Sequence, residues 1–427
     1  MRIRYSKNEG GKTVRKAFVY TKDEHKINNN FVDEHAVYIC KRLREEGFET
    51  YIVGGAVRDL IIGKKPKDFD IASAANPAQI KKVFRNSRVI GRRFRLVHVF
   101  FGTQIFEVAT FRSIKDGTAG NTFGTIEEDV LRRDFTFNAL FYEPEKCLVI
   151  DYVGGLRDIQ NKKLHPIIPV NTIFKDDPVR MLRAVKYSVL SGFKLPFSLR
   201  NQIRKEAVLL GGVSPSRLTE EINKIIHSAN VAGIVENLEM LGLYVYLQPN
   251  AHDLMKKSES FKRLYFTALK ALNFDSNGST DASEAVETKN AAVVKNLPSV
   301  SRDIICLSAL FVDYIEGVVD WVDESAVLYK TVFQKARSFV LPMNPQRVHI
   351  DKAVRNLLAQ HGISIRKSRI LRPEVEGSNS TFSTTLRAPQ NASSKPEEGT
   401  SKPHRRRRRR KPKNGGAENT SIPNASE

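Results

Sequence analysis

Val53-Gly54-Gly55-Ala56-Val57-Arg58-Asp59 closes a short apolar run with a glycine pair, and nine residues later Asp68-Phe69-Asp70 sets two carboxylates at i and i+2. Alternate residues of a strand share a face, so the spacing predicts Asp68 and Asp70 side by side, roughly 6–7 Å apart at Cα, with Phe69 turned to the core. A Gly-Gly pair alone is usually only a turn, and a D-x-D pair is more often a set of exposed acids on a sheet edge. Here Phe69 and Ile71 alternate with the acids, which makes the carboxylates the open face of a half-buried strand. Two acids beside a glycine turn suit Mg²⁺ and a nucleoside triphosphate. The carboxylates offer hard oxygens to the cation, while bare backbone at Gly54 and Gly55 and the Arg58 guanidinium meet the phosphates.

A third acid stands in Arg132-Arg133-Asp134-Phe135-Thr136-Phe137-Asn138, at the head of a strand-like segment. Asp134 in that place can help take the proton from an attacking hydroxyl, with Arg132 and Arg133 facing phosphate or ribose. Further on, Asp176-Asp177-Pro178-Val179-Arg180-Met181-Leu182-Arg183 reads as a helix start, with Asp177 as cap and Pro178 at the first helical position. Asp177, Arg180 and Arg183 recur every three residues and line one side of the first turns. An acid and an arginine together present acceptor and donor groups to the edge of a base.

Outward from these motifs, apolar residues from Phe31 to Glu46 follow a helical period, and Thr50–Val53 reads as a buried strand. Phe69–Ala72, Val97–Phe101, Ile105–Phe111, Phe135–Tyr142 and Leu148–Tyr152 read as further strands, and Pro77–Phe84 as a helix. Beyond Asp176 helix follows helix, interrupted at Gly192, Gly211-Gly212 and Gly242. Residues 1–30 are basic with weak periodicity and read as a flexible arm. Residues 274–300 are rich in Ser, Asn, Asp and Ala and read as a disordered insertion. The same reading holds for the tail after Ile363, with its Arg405–Arg410 run.

The chain of 427 residues carries a formal charge of +22, from 69 Lys+Arg against 47 Asp+Glu. Lys402 to Lys413 holds nine of the positive charges and no acid, which leaves +13 on the rest. An anionic polymer is the partner such a surplus implies. Three unpaired cysteines exclude a disulfide framework or a zinc knuckle. The polar N-terminus has no signal-peptide core, and no apolar run reaches the length of a membrane span. A soluble, cytoplasmic protein is expected.

Five motifs now stand in order: Gly54-Gly55-x-Val57-Arg58-Asp59, Asp68-x-Asp70, Arg132-Arg133-Asp134-Phe135-Thr136, Asp151-x-x-Gly154-Gly155-x-x-Asp158 and Asp177-Pro178-x-Arg180-x-x-Arg183. The series resembles the family of class II tRNA nucleotidyltransferases and bacterial poly(A) polymerases over residues 31–230. The resemblance implies an α+β fold: a nucleotidyltransferase head of mixed sheet and helices over 31–160, a helical nucleotide-recognition neck over 161–235, and a helical RNA-binding body over 236–363. The basic tail occupies 364–427. It also implies Asp68, Asp70 and Asp134 as catalytic acids, with Asp68 and Asp70 holding two Mg²⁺ ions. Gly54, Gly55, Arg58, Arg133, Asp177, Arg180 and Arg183 are then expected around ATP. One departure is visible, since the acid before Asp177 is usually Glu in the family and is Asp176 here.

Within the family, Ile90-Gly91-Arg92-Arg93-Phe94-Arg95-Leu96-Val97-His98-Val99 and Pro215–Glu221 resemble the poly(A) polymerase branch more than the CCA-adding one. The expected partners are RNA 3′ ends, of mRNA first, with tRNA or small RNA as further candidates. Arg92, Arg93, Arg95 and Arg405, Arg406, Arg407, Arg408, Arg409 and Arg410 are the candidate RNA contacts. A CCA-adding transferase is the nearest alternative, and a non-catalytic RNA-binding protein on a transferase fold is the alternative from another class.

Overall fold

The computed structural model describes residues 2–7, 13–91, 96–113, 122–272, 301–322 and 324–363. Nine described strands form one mixed sheet: β1 (Arg2–Lys7), β2 (Thr13–Tyr20), β3 (Thr50–Val53), β4 (Asp70–Ser73), β5 (Ser87–Ile90), β6 (Leu96–Phe101), β7 (Gln104–Thr110), β8 (Leu140–Glu143) and β9 (Leu148–Asp151). Their order is β1-β2-β9-β8-β3-β4-β7-β6-β5. Only β4 and β7 pair in parallel among the described ladders, in a register that sets Asp70 opposite Glu107. Every residue of β3 is buried, as befits a strand paired on both sides, and Val53 lies opposite Asp70. The glycine turn therefore leaves the sheet directly beside the acid pair.

The first α-helices of the head are α1 (Lys22–His25), α2 (Glu34–Glu45), α3 (Gly55–Ile61), α4 (Pro77–Val83), α5 (Ile126–Leu131) and α6 (Gly155–Gln160). The apolar face read from the sequence of α2 is the one that packs, through Ala36, Ile39, Cys40 and Leu43. The chain then turns helical: α7 (Ile173–Asp176), α8 (Val179–Ser191), α9 (Phe197–Glu206), α10 (Pro215–Ile226), α11 (Val231–Met240), α12 (Pro249–Lys257), α13 (Glu259–Lys270), α14 (Arg302–Val318), α15 (Ser325–Phe339) and α16 (Arg347–Gln360). One apolar core runs from the sheet through these helices, so the α+β reading holds. No described helix is long and apolar enough to cross a membrane.

Three expectations need correction. The N-terminal arm is not free, because β1 and β2 pair with each other and β2 pairs with β9 through Phe18 and Asp151. Among the described side chains of β2 Ala17 and Val19 bury, at alternate positions between basic and partly exposed neighbours. Second, Phe135–Tyr142 is not one strand. The Asp134 carboxylate accepts the Phe135 N–H at 2.8 Å, and Thr136–Asn138 winds into a 3₁₀ turn before β8 begins. Third, β4 starts at Asp70, so Asp68 precedes the strand; both acids are exposed while Phe69 is buried, as the alternation requires. The reading of 274–300 as a disordered insertion and of 364–427 as a disordered tail falls outside the described residues.

The loop after β9 has a clear physical account. Asp151 accepts the backbone N–H groups of Val153, Gly154, Gly155 and Leu156 at 2.7–3.1 Å, which caps α6. Gly155 packs so closely that a Cβ there would stand 2.2 Å from the Thr136 carbonyl oxygen. Asp158 then receives the Thr136 hydroxyl at 2.6 Å and pairs with His165 at 2.7 Å. This corner holds the Asp134–Asn138 turn in place. Gly155→Ala is expected to cost about 2 kcal/mol, because the obstacle is backbone and cannot swing aside. Urea unfolding checks it; an unchanged midpoint would mean that the two segments separate without loss.

Candidate active site

A cavity of about 660 Å³ opens where the head meets α8 and α10. It is lined by Gly54, Gly55, Asp70, Arg133, Asp134, Asp177, Arg180 and Arg183 of the expected residues. Six arginines share its wall, namely Arg112, Arg132, Arg133, Arg180, Arg183 and Arg217. Two expected residues are not brought to the wall. Asp68 lies outside the lining, although its charge is felt at Asp70. Arg58 lies just behind the wall: its Nε and Nη2 donate to Asp59 at 2.9 and 2.7 Å, its Nη1 donates to Asn138 at 3.1 Å, and its guanidinium sits over Tyr187. A carboxylate on the next residue captured it, so its place is to brace Asn138. Arg92, Arg93, Arg95 and Arg405–Arg410 fall outside the described residues.

One end of the cavity is acidic. Gly54, at φ +70°, occupies backbone that favours glycine, and a Cβ there would face Asp70 Oδ2 at 3.9 Å and Arg133 Nη1 at 3.7 Å. Asp70 keeps solvent access on its cavity side but is hemmed in by protein elsewhere. That partial burial, with the Glu107 and Asp68 charges, pushes its carboxyl up to about 6 against the pull of Arg133. Glu107 carried no expectation from the sequence; it pairs with His98 at 3.3 Å and reaches Asp70 only through the parallel register. Crowded carboxylates of this kind fit a divalent cation, which supplies the positive charge they lack. Among the described residues no three His, Cys, Asp or Glu side chains close a metal site by themselves. A cation here fits two carboxylates completed by phosphate oxygens and water, the usual manner of Mg²⁺.

The other end is basic. Burial and the neighbouring Arg112, Arg133 and Arg180 push Arg132 down to about 10, with Asp129 opposing. Arg133 is held by Asp129 through Nε at 3.1 Å and Nη2 at 2.9 Å, and by the Asn138 carbonyl at 3.1 Å. Asp134 is buried and pairs with Arg183 at 2.8 Å. The pair is off-line for a hydrogen bond, so Asp134 Oδ2 and Arg183 Nε both lack a hydrogen-bond partner. Buried polar atoms of that sort are costly unless a ligand meets them.

Pro178, not Asp177, is the residue flanking α8, and Val179 is its first helical residue. Asp177 still serves the helix start, accepting the Val179 N–H at 3.2 Å, and its other oxygen receives Arg217 Nη2 from α10 at 2.6 Å. Arg180 is buried and donates to the carbonyls of Ile173 and Arg132, both at 3.3 Å, which joins α8 to the head. Asn138 and Arg217 were given no site role by sequence; each acts over a separation that spacing rules do not reach.

Family models and relatives match the segments that build this cavity. The "Poly A polymerase head domain" model matches residues 50–165. The model described as "Probable RNA and SrmB- binding site of polymerase A" matches residues 192–255. Poly(A) polymerase I of Salmonella typhi is 34% identical over 362 residues, which cover 79% of this chain and 73% of that protein. Poly(A) polymerase I of Haemophilus influenzae is 40% identical over 253 residues, covering 55% and 56%. A CCA-adding enzyme of Geobacillus kaustophilus is 33% identical over 242 residues, covering 55% and 60%. The head match contains the glycine turn, the acid pair and the Asp134 turn, and the Salmonella match extends over most of both chains. The chain therefore belongs to the poly(A) polymerase family of nucleotidyltransferases.

Proposed function

We propose that this cavity adds AMP from ATP to the 3′ ends of RNA without a template, releasing pyrophosphate, and that the enzyme works in the cytoplasm. The observation that carries the reading is the pairing of two electrostatic poles in one cavity. Burial and neighbouring acids raise Asp70 at one end, and burial and neighbouring arginines lower Arg132 at the other. A polyphosphate accompanied by a divalent cation relieves both.

In the reaction the RNA 3′-oxygen forms a bond to the α-phosphorus of ATP, and the bond from that phosphorus to the pyrophosphate oxygen breaks. Asp68 and Asp70 are the residues to hold Mg²⁺, with Glu107 reinforcing the negative field around Asp70. Bound there, Mg²⁺ supplies positive charge to stabilise the attacking and leaving oxygens. Arg132 and Arg133 take the phosphates, and Gly54 and Gly55 leave the wall free of side chains where they approach. Asp134, on the cavity wall and paired with Arg183, is the candidate acceptor for the proton of the attacking hydroxyl, reached when that ion pair opens. Asp177 and Arg180 offer one acceptor and one donor group to the base edge, and Arg183 carries the charge between Asp134 and the base.

Adenine and cytosine present similar edges, an exocyclic amine beside a ring nitrogen, so the choice between poly(A) and CCA addition is testable by outcome. The purified protein should add long runs of A to an unstructured RNA and to a tRNA lacking its CCA end, with little CMP on either. Two C residues and one A on the tRNA, followed by arrest, would make it a CCA-adding enzyme. In the same competition Arg180→Ala should relax the preference for ATP roughly tenfold to a hundredfold, the worth of a lost base-edge contact. An unchanged preference would leave Arg180 as a structural link between α8 and the head.

A further inference from the structure

α5 carries three acids in a row, Glu127, Glu128 and Asp129, and the third faces the cavity. Glu128 accepts the Ser113 hydroxyl and the Thr125 N–H, both at 2.9 Å, which clips the segment after β7 to the helix start. The fit there is close, since a Cβ at Gly124 would stand 2.5 Å from the Ser113 nitrogen. Asp129 is buried, and its Oδ1 accepts the Arg112 N–H at 3.3 Å. Its Oδ2 accepts Nε and Nη2 of Arg133, whose Nη1 donates to the Asn138 carbonyl. Three of the five N–H groups of Arg133 are thus committed, which fixes the plane of the guanidinium and leaves two for a ligand. One carboxylate therefore joins Arg112, beyond β7, to Arg133, beyond α5, and all three line the cavity with Arg132. Asp129 also opposes the crowding of positive charge at both Arg112 and Arg132. A neutral acceptor could hold the arginines in place, whereas a carboxylate on the wall of a site for a polyanion also repels the ligand. Position alone does not account for the charge.

Resting on the reading of the cavity as an ATP site, we propose that Asp129 is a positioning residue that aims Arg112 and Arg133 at the phosphates and, by its charge, keeps the site from holding the leaving pyrophosphate too tightly. Without a counter-charge the guanidinium groups of Arg112, Arg132 and Arg133 would repel one another in the empty site. They would also clamp a product that keeps most of the negative charge of the substrate. With Asp129 in place Arg133 keeps its plane, and a phosphate meets the field of three cations less one. ATP and pyrophosphate both feel that reduction, but only the product has to leave before the next addition.

The test measures the binding of inorganic pyrophosphate with Mg²⁺ to the full chain by calorimetry, and its inhibition of AMP addition. Asp129→Asn keeps an acceptor for Arg133 and removes the charge, so pyrophosphate should bind about fivefold to tenfold more tightly, the worth of one partly screened charge. Its inhibition constant should fall by the same factor, and KM for ATP should not rise. Asp129→Ala loses the acceptor as well, so Arg133 turns freely and KM for ATP should rise about tenfold above that of the Asn variant. Arg112→Gln leaves the bond to Asp129, which is made by backbone, and should weaken pyrophosphate binding about tenfold, the loss of one charge-assisted contact. If the Asp129 variants do not fold, the Arg112 variant decides: pyrophosphate bound as by the parent overturns the proposal. An Asn variant that binds pyrophosphate no more tightly than the parent overturns it too, and leaves Asp129 as a bracket between two segments. A parent that binds pyrophosphate but adds no AMP defeats the tailing reading instead, and the affinities still judge Asp129.

Discussion

Asp70→Asn should be inactive and slightly more stable than the parent. Losing a ligand to the cation removes several kcal/mol of transition-state stabilisation, which corresponds to about a thousandfold or more in rate. The fold should not suffer, because Asp70 is exposed and makes no contact that the core needs. Its neighbours in charge, Glu107 and Asp68, repel it, and only Arg133 favours its ionised form. Neutralising it removes that repulsion, and after solvent screening the gain should lie between a few tenths and about 1 kcal/mol when measured in EDTA. The comparison sharpens when Mg²⁺ and ATP are added together. They should raise the melting temperature of the parent and leave the variant nearly unmoved, since a ligand stabilises only in proportion to its affinity for the folded state. A variant that kept near-parental tailing with Mg²⁺ would show that the acidic end does not hold the metal.

The parts of this site legible in the sequence are those that depend on local periods. Asp68-Phe69-Asp70 shows its in-out alternation because strand geometry repeats every two residues, and Phe69 is indeed buried between two exposed acids. Arg180 and Arg183 reach one cavity because helical neighbours recur every three or four residues, and Asp177 joins them from the extended residue ahead of Pro178. What stayed hidden depends on contacts between distant segments. Glu107 meets Asp70 only because β4 and β7 run parallel, and no local pattern encodes that register. Arg217 reaches Asp177 from 40 residues away. Arg58 is engaged for the opposite reason: its immediate neighbour Asp59 takes the guanidinium at 2.7 Å, just behind the cavity wall. The N-terminal strands escaped notice because β9, the partner of β2, follows only at the far end of the head and basic residues interrupt their apolar ones.

Asp134→Asn should lower turnover by about 10²–10⁴, the range for a side chain that handles the proton of an attacking group. Alone this result is ambiguous, because Asp134 is also the counter-ion of Arg183. The Asp134 charge is the leading cause that raises the Arg183 guanidinium above its usual range, against the effect of burial. Arg183→Met leaves a buried carboxylate without its partner. Breaking such a pair costs about 3–5 kcal/mol when both groups are dry, but the Arg183 side chain is 37% exposed, so solvent should reduce the cost to about 1–3 kcal/mol. The double variant, Asp134→Asn with Arg183→Met, separates the two roles. It removes both charges at once, so urea unfolding should show much of the lost stability regained, a coupling that a double-mutant cycle reads directly. Turnover should not recover with it, because the carboxylate proposed to take the proton of the attacking hydroxyl is gone. Recovery of both stability and turnover would reduce Asp134 to a counter-ion and leave the proton to be taken by another group in the cavity.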